Sequence, residues 1–425
     1  MSAMETTANL PWATVWTASS QGPYPAGKPT AQPEMGFVFP DPARGACDQS
    51  FRMVLRPSLW GTHLRLRFSN ALGARDLRLG HVHAGLQASS SAIVTGTNRP
   101  VLFDGRPDVL IPPGACVWSD AVALEHLAPA LLEGRKLAVS FHVEGESGPM
   151  TWHAKALQTS YVSAPHGAPQ CADEGEAGFP YPTASWFFLD AVDMRADAPV
   201  IVCFGDSITD GSGSTINGDD RWPDVLARRL SRAGVRAAVV NQGIGANEII
   251  YPAAYDMAQP TDGGPSALER LSRDVIALSG VSTVIWLEGI NDFGRGAASV
   301  DDLIAGVTTG VARIRAGVPG VRVIAALLTP ALGATIETHG GAQVDAKRRA
   351  YNDFLRHGGL FDGVIDFDAP TRDPQTGGLH APMKPGSSIG GPGDGLHPNR
   401  LGYQAMGAAV NLALVAPRAS PDACR

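Results

Sequence analysis

Five apolar residues run from Val200 to Phe204 and stop abruptly at Gly205-Asp206-Ser207-Ile208-Thr209-Asp210-Gly211, a small, polar turn flanked by glycines. A short apolar run of this kind reads as a strand buried on both faces, as in a parallel sheet covered by helices. Ligands of α/β sheets sit at the carboxyl ends of such strands. Ser207 is therefore placed to project its hydroxyl into a crevice. A strand-to-helix turn with Ser207 or Asp206 as helix N-cap accounts for the same residues.

The pattern recurs. Val239-Val240-Asn241-Gln242-Gly243-Ile244-Gly245 is a second strand running into a glycine-rich turn, where the Gly245 N–H can be exposed. Val284-Ile285-Trp286-Leu287-Glu288-Gly289-Ile290-Asn291-Asp292 is a third, ending in a side-chain amide. Taken singly, these are a tight turn and an Asx turn. Near the C-terminus, Asp394-Gly395-Leu396-His397-Pro398-Asn399 places an Asp three residues before a His. On one turn that spacing lets the carboxylate accept the Nδ1 proton of the imidazole and leaves Nε2 free to take a proton from a serine. Alone, the segment also reads as an Asp-Gly turn ahead of a helix that has Pro398 near its first position. Four independent turns are a poor explanation of the set, because a nucleophilic serine needs a base and the base needs an orienter.

With these residues in view, the chain resembles the SGNH (GDSL-type) hydrolases. Gly205-Asp206-Ser207, Gly245, Gly289-Ile290-Asn291-Asp292 and Asp394-Gly395-Leu396-His397 occur in the order of that family's four blocks, over roughly residues 198 to 416. The resemblance implies a three-layer α/β/α fold around a parallel sheet. It implies Ser207 as nucleophile, His397 and Asp394 as its partners, and an oxyanion hole made by the Ser207 and Gly245 amides and the Asn291 side chain. It implies no metal or organic cofactor. The upstream half, with Trp16-Thr17-Ala18-Ser19 and Phe68-Ser69-Asn70, is similar to a two-domain branch associated with carbohydrate esterases such as xylan deacetylases.

At 425 residues the chain exceeds one average domain. Residues 1–195 read as β-rich. Thr62 to Ser69 alternates with period two, Lys136 to Val143 is another strand, and turns recur at Asn70-Ala71-Leu72-Gly73, Asp104-Gly105 and Pro112-Pro113-Gly114. This predicts a β-sandwich or jelly roll, with a short helical interruption near Leu124 to Leu132 limited by Pro129. From Ala196 to Arg425 strands and helices alternate, with strands at 200–204, 237–241, 283–287, 321–328 and 363–367. Helices are expected at 222–233, 300–316, 344–357 and 400–414. His81, His83, His126, His142 and His153 have no accompanying ligand motif and read as surface or structural histidines. The Gly/Pro-rich stretch from Asp368 to Asp394 is a candidate substrate-contacting loop, with plain flexibility as the other reading. His380 within it lacks an Asp three residues before it and a helix after it, so it is rejected as the base.

Net charge −7 gives no reason to expect nucleic acid or an anionic membrane as partner. No apolar run reaches the roughly eighteen residues of a membrane span. The start lacks a basic region followed by an apolar one, so a cytoplasmic location is expected, or a secreted or periplasmic one if a signal was trimmed. Five cysteines form no C-x-x-C pair and read as free thiols; a Cys171–Cys424 bridge has no support. A phosphate or dinucleotide binder is disfavoured: Gly211-Ser212-Gly213-Ser214 lacks the P-loop Lys, and Glu248 follows where a third glycine is needed.

The expected activity is hydrolysis of short carboxylic esters, such as acetyl esters of carbohydrates or similar alcohols, with a small molecule or oligosaccharide as substrate. The alternatives are a broad carboxylesterase or lipase for longer acyl chains, and a non-catalytic carbohydrate-binding protein on a degenerate hydrolase fold. The sequence leaves the oligomeric state open.

Overall fold

The computed structural model describes residues 10–124, 127 and 132–415. His126 and Pro129, most of the expected interruption at 124–132, and Cys424 lie outside them.

The second half of the chain is built on a five-stranded sheet, all parallel, in the spatial order Ala238–Gly243, Val200–Gly205, Val281–Leu287, Arg322–Ala326, Gly363–Ile365. Every residue of Val200–Gly205 is buried, as its uniform apolarity requires. Burying each such Val, Ile or Phe is worth about 1.5–3 kcal/mol. The first strand in sequence lies between the second and the third, so the chain winds away from it in both directions. That reversal opens a crevice at the carboxyl edge of Val200–Gly205, where ligands of doubly wound sheets bind. Ser207 follows this strand and Asn291 follows its neighbour. Gly205 is required by close approach, since a Cβ there would lie 2.0 Å from Thr209 Oγ1.

Helices Trp222–Arg232, Val300–Gly317 and Ala342–His357 form where the apolar spacing predicts. Ser299 and Asp302 make the expected reciprocal capping box, each side chain bonding the other's backbone N–H. The last expected helix is shorter. Arg400–Ala409 ends at Val410, which is extended, and Asn411 restarts a turn over Leu412–Val415 by accepting the Ala413 N–H.

The first half is antiparallel. One sheet orders Trp12–Thr17, Leu189–Arg195, His63–Ser69 and Cys116–Trp118; a larger one centres on Cys47–Leu55, Leu137–Glu146 and Leu77–Leu86. Rings from both sheets meet between them, Phe68 against Phe141 at 5.2 Å, which makes the pair a sandwich. A small third sheet joins Gly22–Pro23, Thr151–His153 and Trp186–Phe187. Cys47, Cys116, Cys171 and Cys203 are free, and Cys203 packs inside its strand.

The halves are fastened together. One apolar core continues from the sandwich into the parallel sheet. Ala238–Gly243 is an edge strand, and the first half covers it: Ser58 Oγ accepts the Val239 N–H and Thr17 Oγ1 donates to the Asn241 carbonyl. Covering an open edge removes a ready template for mispairing. Among the described residues no helix is long and apolar enough to cross a membrane.

Candidate active site

Ser207 opens a one-turn helix, Ser207–Asp210, whose N-cap is Asp206; its Oδ1 accepts the Ile208 N–H at 2.8 Å. The capping reading holds for Asp206, and it is compatible with the nucleophile reading because the cap fixes the turn that presents the Ser207 hydroxyl. Ser207 Oγ lies 2.8 Å from His397 Nε2, and His397 Nδ1 lies 2.5 Å from Asp394 Oδ2. The other oxygen, Asp394 Oδ1, accepts the Leu396 and His397 backbone N–H groups. Burial pushes the Asp394 carboxyl up, but the bond and charge of His397 and the two backbone donors outweigh it and hold it well below the usual carboxylate range. A carboxylate kept ionised in this way fixes the imidazole tautomer and leaves Nε2 to accept the serine proton. His380 is not brought here; its N–H bonds the Thr371 carbonyl at the start of the short turn Ala381–Met383.

Across the crevice stands Asn291, preceded by Gly289 at φ 130°, a conformation open to glycine. The Asn247 carbonyl can only accept, so it faces Asn291 Nδ2, at 2.9 Å. Asn291 Oδ1 then faces His339 Nε2 at 3.1 Å. Burial, with the charge of His397 second, pushes the His339 imidazole down to about 4, so it is neutral and carries one N–H. Thr338 Oγ1, 2.9 Å from Nδ1, can fill that nitrogen's acceptor role, so the proton sits on Nε2 and is donated to Asn291. The second Nδ2 hydrogen of Asn291 is left for the crevice.

Gly245 requires a correction. Its N–H donates to Asp210 Oδ2 at 3.0 Å and is not the open donor that the glycine-rich turn predicts. The following amide, that of Ala246, has no acceptor among the described residues. Ala246 also holds the left-handed conformation, φ 66°, that a reader of the sequence assigns to the glycine. Such a conformation costs a residue with a Cβ about 1–2 kcal/mol, and strain of this kind collects at functional sites.

Beneath the strand ends lies Arg270, 1% exposed. It donates to the carbonyls of Gly205 and Gln242 and to Asn247 Oδ1, and pairs with Glu288 and Asp274. One guanidinium thus ties together the turns that carry Ser207, Ala246 and Asn291. Asp292, beside Asn291, accepts the Ile249 and Ile250 N–H groups; burial pushes its carboxyl up to about 6. The 368–394 stretch is folded rather than structureless. Arg372 pairs Leu379, Gly386 pairs Gly390, and Ser388 Oγ donates to the Ser214 carbonyl. It packs on the turn that follows the Ser207 helix, with Ile389 exposed.

Residues 203–405 match the model of the GDSL-like lipase/acylhydrolase family. Over that segment, just under half of the chain, the protein is similar to the SGNH (GDSL-type) hydrolases. A comparison with curated proteins finds no match. Solved structures similar to the chain include a carbohydrate acetylesterase family member from Sinorhizobium meliloti, at 18% identity over 51% of this chain and 96% of that one, TM-score 0.39. Another is the aryl esterase of M. smegmatis, at 19% identity over 50% and 96%, TM-score 0.37. A third is a lipase/acylhydrolase from Enterococcus faecalis, at 22% identity over 50% and 92%, TM-score 0.37.

Within the matched segment, Ser207, His397 and Asp394 meet as the spacing predicts, and Asn291 follows the strand next to that of Ser207. Gln21, His153, Lys155, Arg270 and His339 were missed. None sits in a motif, and each is recruited from a distant part of the chain. Asp210 was legible as part of the Ser207 turn, but its acceptor role was not. His153, read as a surface or structural histidine, is buried against Asp210 Oδ1 at 3.1 Å.

Proposed function

We propose that this protein is a serine esterase that cleaves short-chain carboxylic esters through an acyl-enzyme. The observation that carries the reading is the continuous hydrogen-bonded line from Ser207 Oγ through His397 to Asp394. Ser207 Oγ attacks the ester carbonyl as its proton passes to His397 Nε2. The carbonyl oxygen becomes an oxyanion, held by the Ser207 N–H, the Ala246 N–H in place of that of Gly245, and Asn291 Nδ2–H. His397 returns the proton to the leaving alcohol as the C–O bond breaks. A water then gives its proton to His397 and attacks the acyl group; the bond between the acyl carbon and Ser207 Oγ breaks, His397 returns the proton to Oγ, and the acid leaves.

Two units divide this work, a sandwich over 1–195 and a catalytic domain over 196–425. The surroundings of Ser207 favour a short acyl group. The neighbouring wall carries Ser212, whose Oγ is 2.5 Å from Lys155 Nζ, and the 368–394 stretch is Gly/Pro-rich and polar. A long acyl chain needs apolar cover worth about 0.8 kcal/mol per CH₂. Carbohydrate acetyl esters fit such a site. The test is a p-nitrophenyl ester series, run beside acetylated xylo-oligosaccharides, with wild type and Ser207→Ala. Turnover should peak between acetyl and butyryl esters, and Ser207→Ala should lose about 10⁴–10⁶-fold in kcat while remaining folded. A kcat/KM still rising at dodecanoyl esters would make the enzyme a lipase, and full activity in Ser207→Ala would remove the nucleophile.

A further inference from the structure

Three residues of the N-terminal half reach the turn after strand Ala238–Gly243. Gln21 is fully buried beside the small sheet, and every polar atom of its side chain is used. Nε2 donates to the Gly245 carbonyl at 3.2 Å and to the Asp262 carbonyl at 2.5 Å, while Oε1 accepts the Ala154 N–H at 3.3 Å. His153 Nδ1 lies 2.8 Å from the Ser19 carbonyl, and its Nε2 meets Asp210 Oδ1. Asp210 Oδ2 in turn accepts the Gly245 N–H. Lys155 Nζ would lie 3.1 Å from a Cβ at Gly245 and closes the same face.

Gly245 is thus gripped at both ends, by Asp210 at its N–H and by Gln21 at its carbonyl. The carbonyl end matters most. In a trans peptide the C=O and the next N–H point in opposite directions from one plane. The carbonyl that Gln21 holds shares its plane with the Ala246 N–H. Fixing the oxygen towards Gln21 fixes the hydrogen away from it. The same bond withdraws electron density through the amide and makes that N–H a better donor. The left-handed Ala246, which would relax if released, is retained by the grip.

We propose that Gln21, backed by the His153–Asp210 contact, is a positioning residue of the oxyanion hole, so that the sandwich half completes the catalytic site of the other half. This rests on the esterase reading above. Gln21 does not touch the substrate; it acts through the Gly245–Ala246 peptide. Preorganised donors are effective because they need no reorganisation as charge develops, and a donor loosened by even a small displacement loses that advantage.

The experiment uses the full chain. Gln21→Glu keeps the size and the acceptor for Ala154 N–H but replaces the donor to the Gly245 carbonyl with a carboxylate oxygen. His153→Asn loosens the other end at lower structural cost. With esterase sites counted by fluorophosphonate titration, kcat per site should fall by about 10–100-fold in Gln21→Glu and by about 3–10-fold in His153→Asn, less than for loss of a direct donor. KM should stay within about 2-fold, because the interaction is made in the transition state. The Ki of a boronic acid, whose serine adduct is tetrahedral, should rise in parallel with the loss of kcat/KM. A purely structural role would lower the melting temperature and leave kcat per titrated site and boronate affinity unchanged. That result in both variants overturns the proposal, and in His153→Asn alone it does so if Gln21→Glu does not fold. Asn291→Ala and Ser207→Ala serve as controls. If they stay active the esterase reading itself fails; if they are crippled while the Gln21 and His153 variants are normal, only the positioning role is lost.

Discussion

The two sides of the crevice are built differently. The Ser207–His397–Asp394 side comes entirely from the C-terminal half, and its elements are local: a capped one-turn helix, and an Asp and His three residues apart. His397 and Asp394 are partly open to water, with side-chain exposures of 17% and 32%. The side proposed to hold the oxyanion is almost wholly buried and draws on Gln21, Ser19, His153, Arg270, Asp292 and His339, from both halves of the chain. Short-range geometry suffices to bring a serine hydroxyl to an imidazole. Aiming backbone and side-chain amides at one point takes a buried, cross-connected frame.

The comparison is tested most severely by separating the halves. Residues 196–425 expressed alone should be insoluble or poorly active, because the sheet edge at Ala238–Gly243 and the shared core lose their cover. A soluble fragment with full activity on small esters would show that the oxyanion side needs nothing from the sandwich.

Arg270→Met leaves Glu288 without its buried cation and Asp274 with Arg273 alone. Loss of one partner from such a network typically costs about 3–5 kcal/mol, so urea unfolding should shift by that order. A shift below about 1 kcal/mol would mean that the frame beneath the oxyanion side is not held by this residue.

Asn291→Ala should lower kcat by about 10²–10³-fold, or roughly 3–4 kcal/mol, with little change in KM. A near-normal kcat would reduce the asparagine to a turn closure and leave the two sides equally simple.

The smallest effect concerns Glu248, buried beside the oxyanion turn. Burial, with the charge of Asp292 second, pushes its carboxyl up to about 7 from an ordinary 4.5. The folded state holds this proton more tightly than the unfolded chain does. Its contribution to stability is therefore complete below about pH 4.5 and is lost as pH rises through 7. Glu248→Gln should flatten the fall in melting temperature over that window, a change worth about 1–3 kcal/mol. An unchanged slope would assign the pH dependence to other buried acids such as Asp206, whose carboxyl burial likewise pushes up to about 7.

By itself the sequence determined the parallel-sheet half, its strand order along the chain, and the Ser207, Asp394, His397 and Asn291 positions. Each of these is written in a short window. Apolar runs of five or so residues can only be buried strands here, and an Asp and His three apart can bond without help from elsewhere. The tertiary structure decided what depends on distant partners. It moved the open amide from Gly245 to Ala246, since only in the fold does Asp210 occupy the Gly245 N–H. It set the orientation of the Asn291 amide through His339, 48 residues away along the chain. It also brought Gln21 to a peptide 224 residues further on. A backbone amide carries no side-chain signature, and whether it is free or occupied is settled by which buried acceptors surround it, a property of packing that no local pattern of residues encodes.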